Sequence, residues 1–519
     1  MKKVLKTILA VALCLAMLFC TGCKTGDGAK SGGQQGGAVL RVGIINKGYG
    51  TAWLEALLDE FCEQNGVGYK IYPFYDDAVV GEKIEAGKTA CDYDLVFAGM
   101  SSIAEPKYLA ELSDVLNSTI ESGSRQGKTI AECIDAVVYS GLNDTKDASK
   151  YYMMPWTGGI NGLLYNQEAI ADKLGDNWQE QYPCRTTDEL LDFCKAISAA
   201  GLPAFIHSAN TNYYSFLYDA WFAQYNGTDG VNDYFDGIYE NFMGERVVGY
   251  DVTHNQGILE AIKVMDSIFG GGYSHPKSNA IDWEVTQTYF MIGEAAMFAN
   301  GDWHHQEMMK QFPDSDIRFL RVPVVSALGT KLGITDEQLA QFIDYADGKR
   351  GLPEVSTEKH TAQELAEIIC DARSHVASYA DFFMTYIPVY ADNVDLAKTF
   401  LKFMVSDQGQ HIFCEATKGL TQCYGYDLES DALYDNLSTF AKTRWDIAKD
   451  ANLYILNRGN AYARVGLQPF TVKSKAPIEA LLSRTDDRWT VEEIYEYDYE
   501  TYKAKWSILE DGANSIDVN

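Results

Sequence analysis

Short apolar runs alternate with an amphipathic stretch just after residue 38, and this alternation constrains the fold most strongly. Val39–Ile45 is an apolar run typical of a buried strand, and Trp53, Leu57 and Phe61 then recur at helical spacing. Tyr69–Phe74 is a second apolar run that begins after two glycines. A strand, a helix and a strand in this order predict a parallel sheet covered by helices.

The loops that follow these strands are the first candidates for contact with a ligand. A parallel sheet brings the carboxyl ends of its strands to one edge, where open α/β folds bind ligands. Residues 46–51 follow the first strand, and residues 100–102 follow a third apolar run at 93–98. We expect both loops to face the ligand, with Ser101 among the contacting residues. Strands and helices continue to alternate without a repeat, which predicts an α/β fold.

The N-terminal region has the pattern of an exported lipoprotein. Residues 1–22 read as a signal peptide, because lysines precede the apolar run Ile8–Phe19, which is short for a membrane span. Cys23 then resembles the modified cysteine of the bacterial lipobox, although Cys20 stands where that pattern usually has leucine. Residues 23–38 are rich in glycine and typical of a flexible tether. We expect a protein lipid-anchored on the extracytoplasmic face of the cell membrane.

Charge and composition exclude one class of partner and leave room for two or three domains. The formal net charge is −30 at pH 7 and no basic run interrupts it, so nucleic acid is excluded as a partner. A chain of 519 residues with 46% hydrophobic residues builds more than one core. Its 33 tyrosines and 9 tryptophans leave some aromatic side chains to line a binding surface.

Four motifs occur in order and together span most of residues 39–415. They are Pro155–Asn166, Thr186–Ala196, Phe290–Trp303 and Ile387–Asn393. In this order they resemble the family 1 extracellular solute-binding proteins, the maltose-binding-protein-like receptors of ABC importers. The most specific of the four is Phe290–Trp303, which contains Gly-Glu-Ala-Ala-Met and ends in Gly-Asp-Trp.

The resemblance implies a two-lobed fold like that of type II periplasmic binding proteins. Each lobe is then a mixed sheet flanked by helices, and the ligand lies between the lobes, which close over it. Hinge crossings are expected near Trp156–Gly159, Val285–Tyr289 and Val322–Val324. The corresponding division of the chain puts residues 39–157 and 288–323 in lobe 1 and residues 158–287 and 324–519 in lobe 2, with 326–374 as an insertion and 425–519 as a C-terminal helical extension.

A sugar is the expected ligand. Aromatic rings stack on the C–H faces of pyranose rings, and fixed polar groups bind their hydroxyls. Residues of these types at predicted strand ends and hinges are the candidates: Tyr49, Trp53, Ser101, Trp156, Asn210, Tyr213, Trp221, Asp302, Trp303 and Tyr379. Each single aromatic residue also fits plain core packing, and the helical spacing of Trp53 favours that alternative.

Other ligands and activities stay open at this point. A polyamine or another organic cation is the alternative ligand, because acidic and aromatic residues form cation–π cages. His304 and His305 beside Glu307 suggest a metal, but adjacent helical residues face apart, which favours a solvated helix face. A tethered glycoside hydrolase needs two carboxylates about 5 to 10 Å apart, and the sequence shows no nucleophile elbow, HExxH motif or phosphate loop.

We therefore expect a receptor without enzymatic activity, cofactor or metal. Its partners would be the sugar and the transmembrane subunits of an ABC permease, with the membrane contacted only through the lipid on Cys23. We expect it to be a monomer.

Overall fold

The computed structural model describes residues 30–33, 37–76, 78–99, 104–144, 146–208, 211–240, 245–455, 460–469, 481 and 488–516. Its strands are β1 Lys30–Gly33, β2 Val39–Ile45, β3 Gly68–Phe74, β4 Leu95–Gly99, β5 Met154–Pro155, β6 Asn161–Asn166, β7 Phe205–Ile206, β8 Ile238–Glu240, β9 Arg246–Val248, β10 Met297–Gly301, β11 Ile317–Leu320, β12 His375–Ala377, β13 Phe383–Tyr386 and β14 Asn452–Tyr454.

The described α-helices run from the first strand unit to the C-terminal region. They are α1 Ala52–Asn65, α2 Val80–Glu85, α3 Ser113–Leu116, α4 Ile130–Cys133, α5 Ala136–Ser140, α6 Gln167–Leu174, α7 Trp178–Gln181, α8 Thr187–Ala199, α9 Ser215–Phe235, α10 Gln256–Met265, α11 Trp283–Met291, α12 His304–Met308, α13 Ala327–Leu332, α14 Asp336–Ala346, α15 Ala362–Ser374, α16 Val394–Val405, α17 Asp407–Thr417, α18 Thr439–Ala448, α19 Ala461–Arg464 and α20 Val491–Ala513.

The first lobe is built on a six-stranded sheet with the order β1-β3-β2-β4-β13-β5. β2 is parallel to β3 and β4, so the predicted strand, helix and strand unit is confirmed. α1 buries Trp53, Leu57 and Phe61 against this sheet and ends at Gly66, whose φ of 64° suits a residue without a side chain. Phe61 packs edge to face on Phe400 of α16, which brings the late helices α16 and α17 to the same lobe.

The second lobe is built on a four-stranded sheet with the order β11-β6-β10-β7. The side chains of β6 alternate between two apolar layers, as the period of a strand requires. Leu163 and Tyr165 belong to the core formed with the helices of this lobe, and Leu164 faces the opposite core with Phe298 and Phe319. Both faces of this sheet are therefore buried, which explains the nearly continuous apolar character of its strands.

Two parts of the predicted division of the chain are wrong. β10 and β11 pair with β6, so residues 288–323 lie in the second lobe and not in lobe 1. β13 pairs with β4 of the first sheet, so part of 324–519 returns to the first lobe. Both errors concern pairing between distant strands, which no local pattern reports.

The segment 326–374 is also not an arm that stands apart from the body. Its helices α13, α14 and α15 bury Leu339, Phe342 and Ile369 in the core of the second lobe. The polar residues that suggested an insertion lie on the outer faces of these helices. The predicted terminal helix is present as α20, which begins with a capping box between Thr490 and Glu493.

The hinge lies where the chain passes between the two sheets. The predicted crossing near Trp156–Gly159 is confirmed, because β5 ends at Pro155 in the first sheet and β6 begins at Asn161 in the second. A second crossing leads from β12 to β13, and the two meet where Tyr379 N donates to Gly159 O at 3.0 Å. The other two predicted crossings are wrong: 285–289 lies within α11, and 322–324 follows β11 with Val322 and Val324 in the second lobe's core.

The glycine-rich spacer is not coil along its whole predicted length. Lys30–Gly33 forms β1, which pairs antiparallel with β3 at the outer edge of the first sheet. Gly32 lies under the ring of Tyr69, where a Cβ would come within 2.8 Å of a ring carbon. At Gly32 the missing side chain therefore permits close packing. Glycine-rich composition alone predicts a flexible coil.

Candidate functional site

A cleft of about 1040 Å³ opens where the two lobes meet the hinge. The first lobe contributes the loop after β2 and the C-terminal end of α17, and the second lobe contributes Tyr213 and the segment from Trp303 to Lys310. The hinge contributes Tyr379 and Phe382. Two smaller cavities, of about 290 and 430 Å³, lack this set of aromatic side chains. The large cleft is therefore the candidate ligand site.

The loop after β2 reaches the cleft because its strand ends at the ligand-facing edge of the sheet, as predicted for residues 46–51. Gly48 allows it to approach the second lobe closely, since a Cβ there would lie 2.8 Å from the Cβ of Trp303. Tyr49 follows in the same turn. The loop thus brings an aromatic ring from the first lobe against the indole of the second.

Four of the predicted site residues come together in this cleft. The ring of Trp303 lies 6.2 Å from that of Tyr49, 5.7 Å from that of Tyr213 and 6.1 Å from that of Tyr379. The planes of Trp303 and Tyr379 are within 11° of parallel. Tyr379 is 39% exposed and Trp303 only 6%, so Tyr379 offers most of the open surface. We call these four residues the aromatic cluster.

Three further predicted residues, Trp53, Trp156 and Trp221, do not line the cleft. Trp53 and Trp156 stack on each other with ring centroids 5.0 Å apart, and both are buried in the first lobe's core. Trp221 is fully buried, and its indole nitrogen donates to Pro323 O at 3.1 Å. These three positions are structural. Ser101 and Asn210 lie outside the described residues, as does Cys23.

Asp302 supports the cluster from below without facing the cleft. It is fully buried and accepts a hydrogen bond of 2.7 Å from the Tyr49 hydroxyl. Its other oxygen lies 3.0 Å from an amino group of Arg444, which is also fully buried, on α18. Burial, reinforced by the Asp302 carboxylate, raises the pKa of Tyr49 well above its usual value, so this hydroxyl remains a donor.

The network of Tyr49, Asp302 and Arg444 joins three distant parts of the chain at the hinge. Ile160, in the first crossing, also donates its amide to Asp302, at 3.4 Å. Gly158 passes so close to Arg444 that a Cβ would lie 3.0 Å from its guanidinium. The network therefore fixes the orientation of Tyr49 relative to the hinge. Arg444 carries no motif in the sequence, and only the three-dimensional structure reveals its role.

Glu307 is a cleft residue that the sequence suggests only as a metal ligand beside the two histidines. Burial raises the pKa of its carboxyl to about 7, opposed by the hydrogen bond that Gln287 donates at 2.9 Å. Its amide donates to Trp303 O, so it stands one helical turn beyond the indole. That spacing of four residues from Trp303 is the signal that points to it. The cleft also contains Lys47, Lys310 and Lys418.

The neighbouring histidines do not lie on a solvated helix face, so that interpretation is wrong. His304 and His305 are 1% and 5% exposed. Burial lowers the pKa of His304 to about 3, and burial together with the ammonium of Lys418 lowers that of His305 to about 4. His305 stacks on Phe440 at 4.5 Å. Across the described ranges, no group of three His, Cys, Asp or Glu side chains is arranged to hold a metal.

Two α/β lobes with an aromatic cleft at their hinge define a two-lobed binding protein. The chain belongs to the family of bacterial extracellular solute-binding proteins, whose sequence profile matches residues 46–411. Membership of this family implies an extracytoplasmic protein. In the part of the chain that the structure describes, no helix has the length and apolar character needed to cross a membrane. No curated protein matches the sequence significantly.

Solved structures with this fold are numerous and distant in sequence. A chitin oligosaccharide binding protein superposes with a TM-score of 0.56 at 13% identity, over 91% of this chain and 99% of its own. The GacH receptor of Streptomyces glaucescens gives 0.54 at 14% identity, over 91% and 99%. Maltose-bound MalE3 of T. maritima gives 0.53 at 13% identity, over 90% and 99%. At these identities the comparisons show the two-lobed fold.

Proposed function

We propose that this protein is the membrane-tethered receptor of an ABC importer, and that it captures an oligosaccharide between its lobes and delivers it to the permease. The observation that carries the proposal is the aromatic cluster of Tyr49, Tyr213, Trp303 and Tyr379, drawn from both lobes and the hinge around one cleft. Such rings provide stacking surfaces for pyranoses, and one of them, Tyr49, is held in place by the buried network of Asp302 and Arg444.

Size and similarity support an oligosaccharide. Pockets for small ligands have volumes of about 300 to 1,000 Å³, and this cleft of about 1040 Å³ stands at the upper end. The structural relatives named above are described as binding a chitin oligosaccharide, acarbose and maltose. Family members are binding proteins, which supports a receptor over a glycoside hydrolase.

The charges of the cleft speak against the alternative of an organic cation. A cation cage requires carboxylates around the aromatic rings without opposing positive charges. The cleft instead contains three lysines beside two glutamates, and one of these glutamates, Glu55, accepts a hydrogen bond from Thr51 at 2.9 Å. A polyamine would therefore meet repulsion close to the aromatic cluster.

Lobe closure follows from the way in which the hinge is built. Two backbone crossings, after β5 and between β12 and β13, join the two sheets, and Gly158 and Gly159 let the backbones approach closely. A ligand that contacts both lobes stabilises the closed form by its extra affinity for that form. The permease then distinguishes the loaded receptor by its closed shape.

Tyr379 is the best single probe of the site. Replacing Tyr379 with Ala removes the most exposed ring of the cluster and should weaken oligosaccharide binding by about tenfold or more, while the free energy of unfolding changes little. Tyr497→Ala on α20 is the matched control, since Tyr497 is 44% exposed and lies away from the cleft. Calorimetric titration with a panel of oligosaccharides measures the affinities. Binding that is equally strong in both variants would contradict the proposed site.

The lipid anchor is tested separately. Cys23→Ser should move the protein from the membrane fraction to the medium or periplasm without changing its affinity for sugar. An unchanged membrane fraction would contradict lipidation at Cys23. Incubation with chromogenic glycosides tests the hydrolase alternative, because sustained turnover by the pure protein is incompatible with a receptor.

A further inference from the structure

Basic residues outnumber acidic ones in the cleft, whereas the whole protein is strongly acidic. The chain carries 73 acidic and 43 basic residues, yet lysines outnumber glutamates and aspartates along the cleft. We propose that the ligand is an acidic oligosaccharide, whose carboxylate groups are bound by Lys47, Lys310 and Lys418 beside the aromatic cluster. This inference rests on the proposed function and names the class of sugar.

The three lysines come from separate segments, and two of these segments contact the stretch of the second lobe that contains the third. Lys310 belongs to the stretch that begins at Trp303. Lys47 precedes Gly48, whose backbone touches Trp303. Lys418 follows Thr417, whose carbonyl oxygen accepts a hydrogen bond from the side chain of Gln306. Three lysines from three separate segments thus line the cleft that also contains the indole.

The backbone at Lys418 is a second, independent observation. Lys418 has φ 56° and ψ 43°, the left-handed conformation in which helices usually end with glycine. Within the described ranges only one other residue with a side chain, Cys184, has a positive φ. A glycine at position 418 would adopt this conformation without strain, but the glycine of this chain stands at the next position, Gly419. A lysine held in this conformation is exposed and lines the cleft, as strained residues at functional sites often do.

The two glutamates of the cleft do not balance the charge of its three lysines. Glu307 is kept partly protonated near neutral pH, because burial raises the pKa of its carboxyl to about 7. Glu55 accepts a hydrogen bond from the neutral hydroxyl of Thr51 and counts as one negative charge against the three lysines. The local balance is therefore positive inside a strongly acidic protein, whose overall field would otherwise repel an anionic sugar.

Comparing an acidic sugar with its own methyl ester separates the effect of the ligand's charge on affinity from the effect of its shape. The mature protein is titrated by calorimetry with trisaccharides of galacturonate, mannuronate and glucuronate, with their methyl esters, and with neutral trisaccharides. An acid should bind at least about tenfold more tightly than its own ester, and the preference should shrink at high salt. Lys310→Gln and Lys418→Gln should each weaken binding of the acid several-fold and leave that of the ester unchanged.

Two further variants exclude damage to the fold. Lys418→Gly removes the ammonium and relieves the backbone, so its melting temperature should not fall while its affinity for the acid does. Lys195 is exposed on α8 and paired with Asp192. Lys195→Gln should therefore change neither the melting temperature nor the affinity for the acidic sugar.

The outcomes distinguish this inference from the proposed function. Tighter binding of a neutral sugar or an ester than of every acid overturns the acidic ligand and leaves the sugar receptor standing. Equal losses of acid and ester in the lysine variants also overturn it, because the lysines would then act on shape. Absence of binding to every sugar overturns both proposals.

Discussion

The side chain of Asp302 has a role different from the one its motif suggests. Its place at the end of the Phe290–Trp303 motif predicts contact with the ligand, but in the structure it is buried under the cluster, where it accepts a hydrogen bond from Tyr49 and pairs with Arg444. A buried ion pair adds little stability by itself, because both charges lose their water. Loss of one partner is different, since the other charge is left buried without compensation.

Replacing Arg444 with Leu should therefore lower the free energy of unfolding by about 3–5 kcal/mol. It should also weaken ligand binding, because Tyr49 loses its fixed position. Arg488→Leu is the control, since the ion pair of Arg488 with Asp266 is exposed and worth under about 1 kcal/mol. Denaturant unfolding of both variants measures the difference. Equal decreases in the free energy of unfolding of the two variants would show that the buried ion pair matters no more for stability than the exposed one.

Glu307 gives the protein a pH dependence with a defined sign. The pKa of Glu307 is about 7 in the folded protein, against the ordinary value of 4.5 for a glutamate in the unfolded chain. Between these values the folded protein holds a proton that the unfolded chain has released, so the contribution of Glu307 to stability falls as pH rises. Glu307→Gln removes this contribution.

The stability of Glu307→Gln relative to the unaltered protein should therefore increase from pH 5 to pH 7.5, by at most about 1.4 kcal/mol per pH unit. The buried His304 changes stability in the opposite direction but is present in both proteins, so it cancels in the comparison. Denaturant unfolding without ligand across this range provides the test. Parallel curves would place the Glu307 carboxyl in water.

At the scale of elements, the hinge depends on two backbones that touch. Gly159 has φ 55°, and a Cβ there would lie 2.5 Å from the amide nitrogen of Ala380 in the other crossing. A side chain would therefore push the crossings apart. Gly201 also has a positive φ, of 87°, but its Cβ position is open.

Gly159→Ala and Gly201→Ala form a matched pair. Both should pay about 1–2 kcal/mol for the left-handed backbone, and Gly159→Ala should lose about 1–3 kcal/mol more through overpacking. Only Gly159→Ala should weaken ligand binding, because it alters the angle between the lobes. Unfolding and titration of both variants measure these effects. Similar results for the two glycines would contradict close contact at the hinge.

The elements also show what the sequence could and could not predict. β2, α1 and β3 follow from local periodicity, and the loop after β2 follows from the rule for parallel sheet edges. The positions of Trp303 and Tyr213 in the cleft follow from their motifs and aromatic chemistry. The lobe to which β10 and β13 belong depends on pairing with distant strands, and the burial of Trp156 and Trp221 depends on which helices cover them. Neither leaves a local pattern.

The whole molecule should become more compact when it binds. Closure over a ligand brings the lobes together, so the radius of gyration from small-angle scattering should fall toward about 23 Å, the value for a compact chain of this size. Tyr379→Ala at the same ligand concentration should show a smaller change, and Tyr497→Ala should behave as the unaltered protein does. An unchanged radius at saturation would mean that binding occurs without closure.

The edge strand β1 limits how far the first lobe can lie from a lipid on Cys23, the anchor proposed above. Lys30 begins this strand at the outer edge of the first sheet, seven residues after Cys23. Seven residues span at most about 25 Å even when fully extended. With Cys23 anchored as proposed, the first lobe therefore stays next to the bilayer as a fixed base, and the second lobe is the part that swings over the permease.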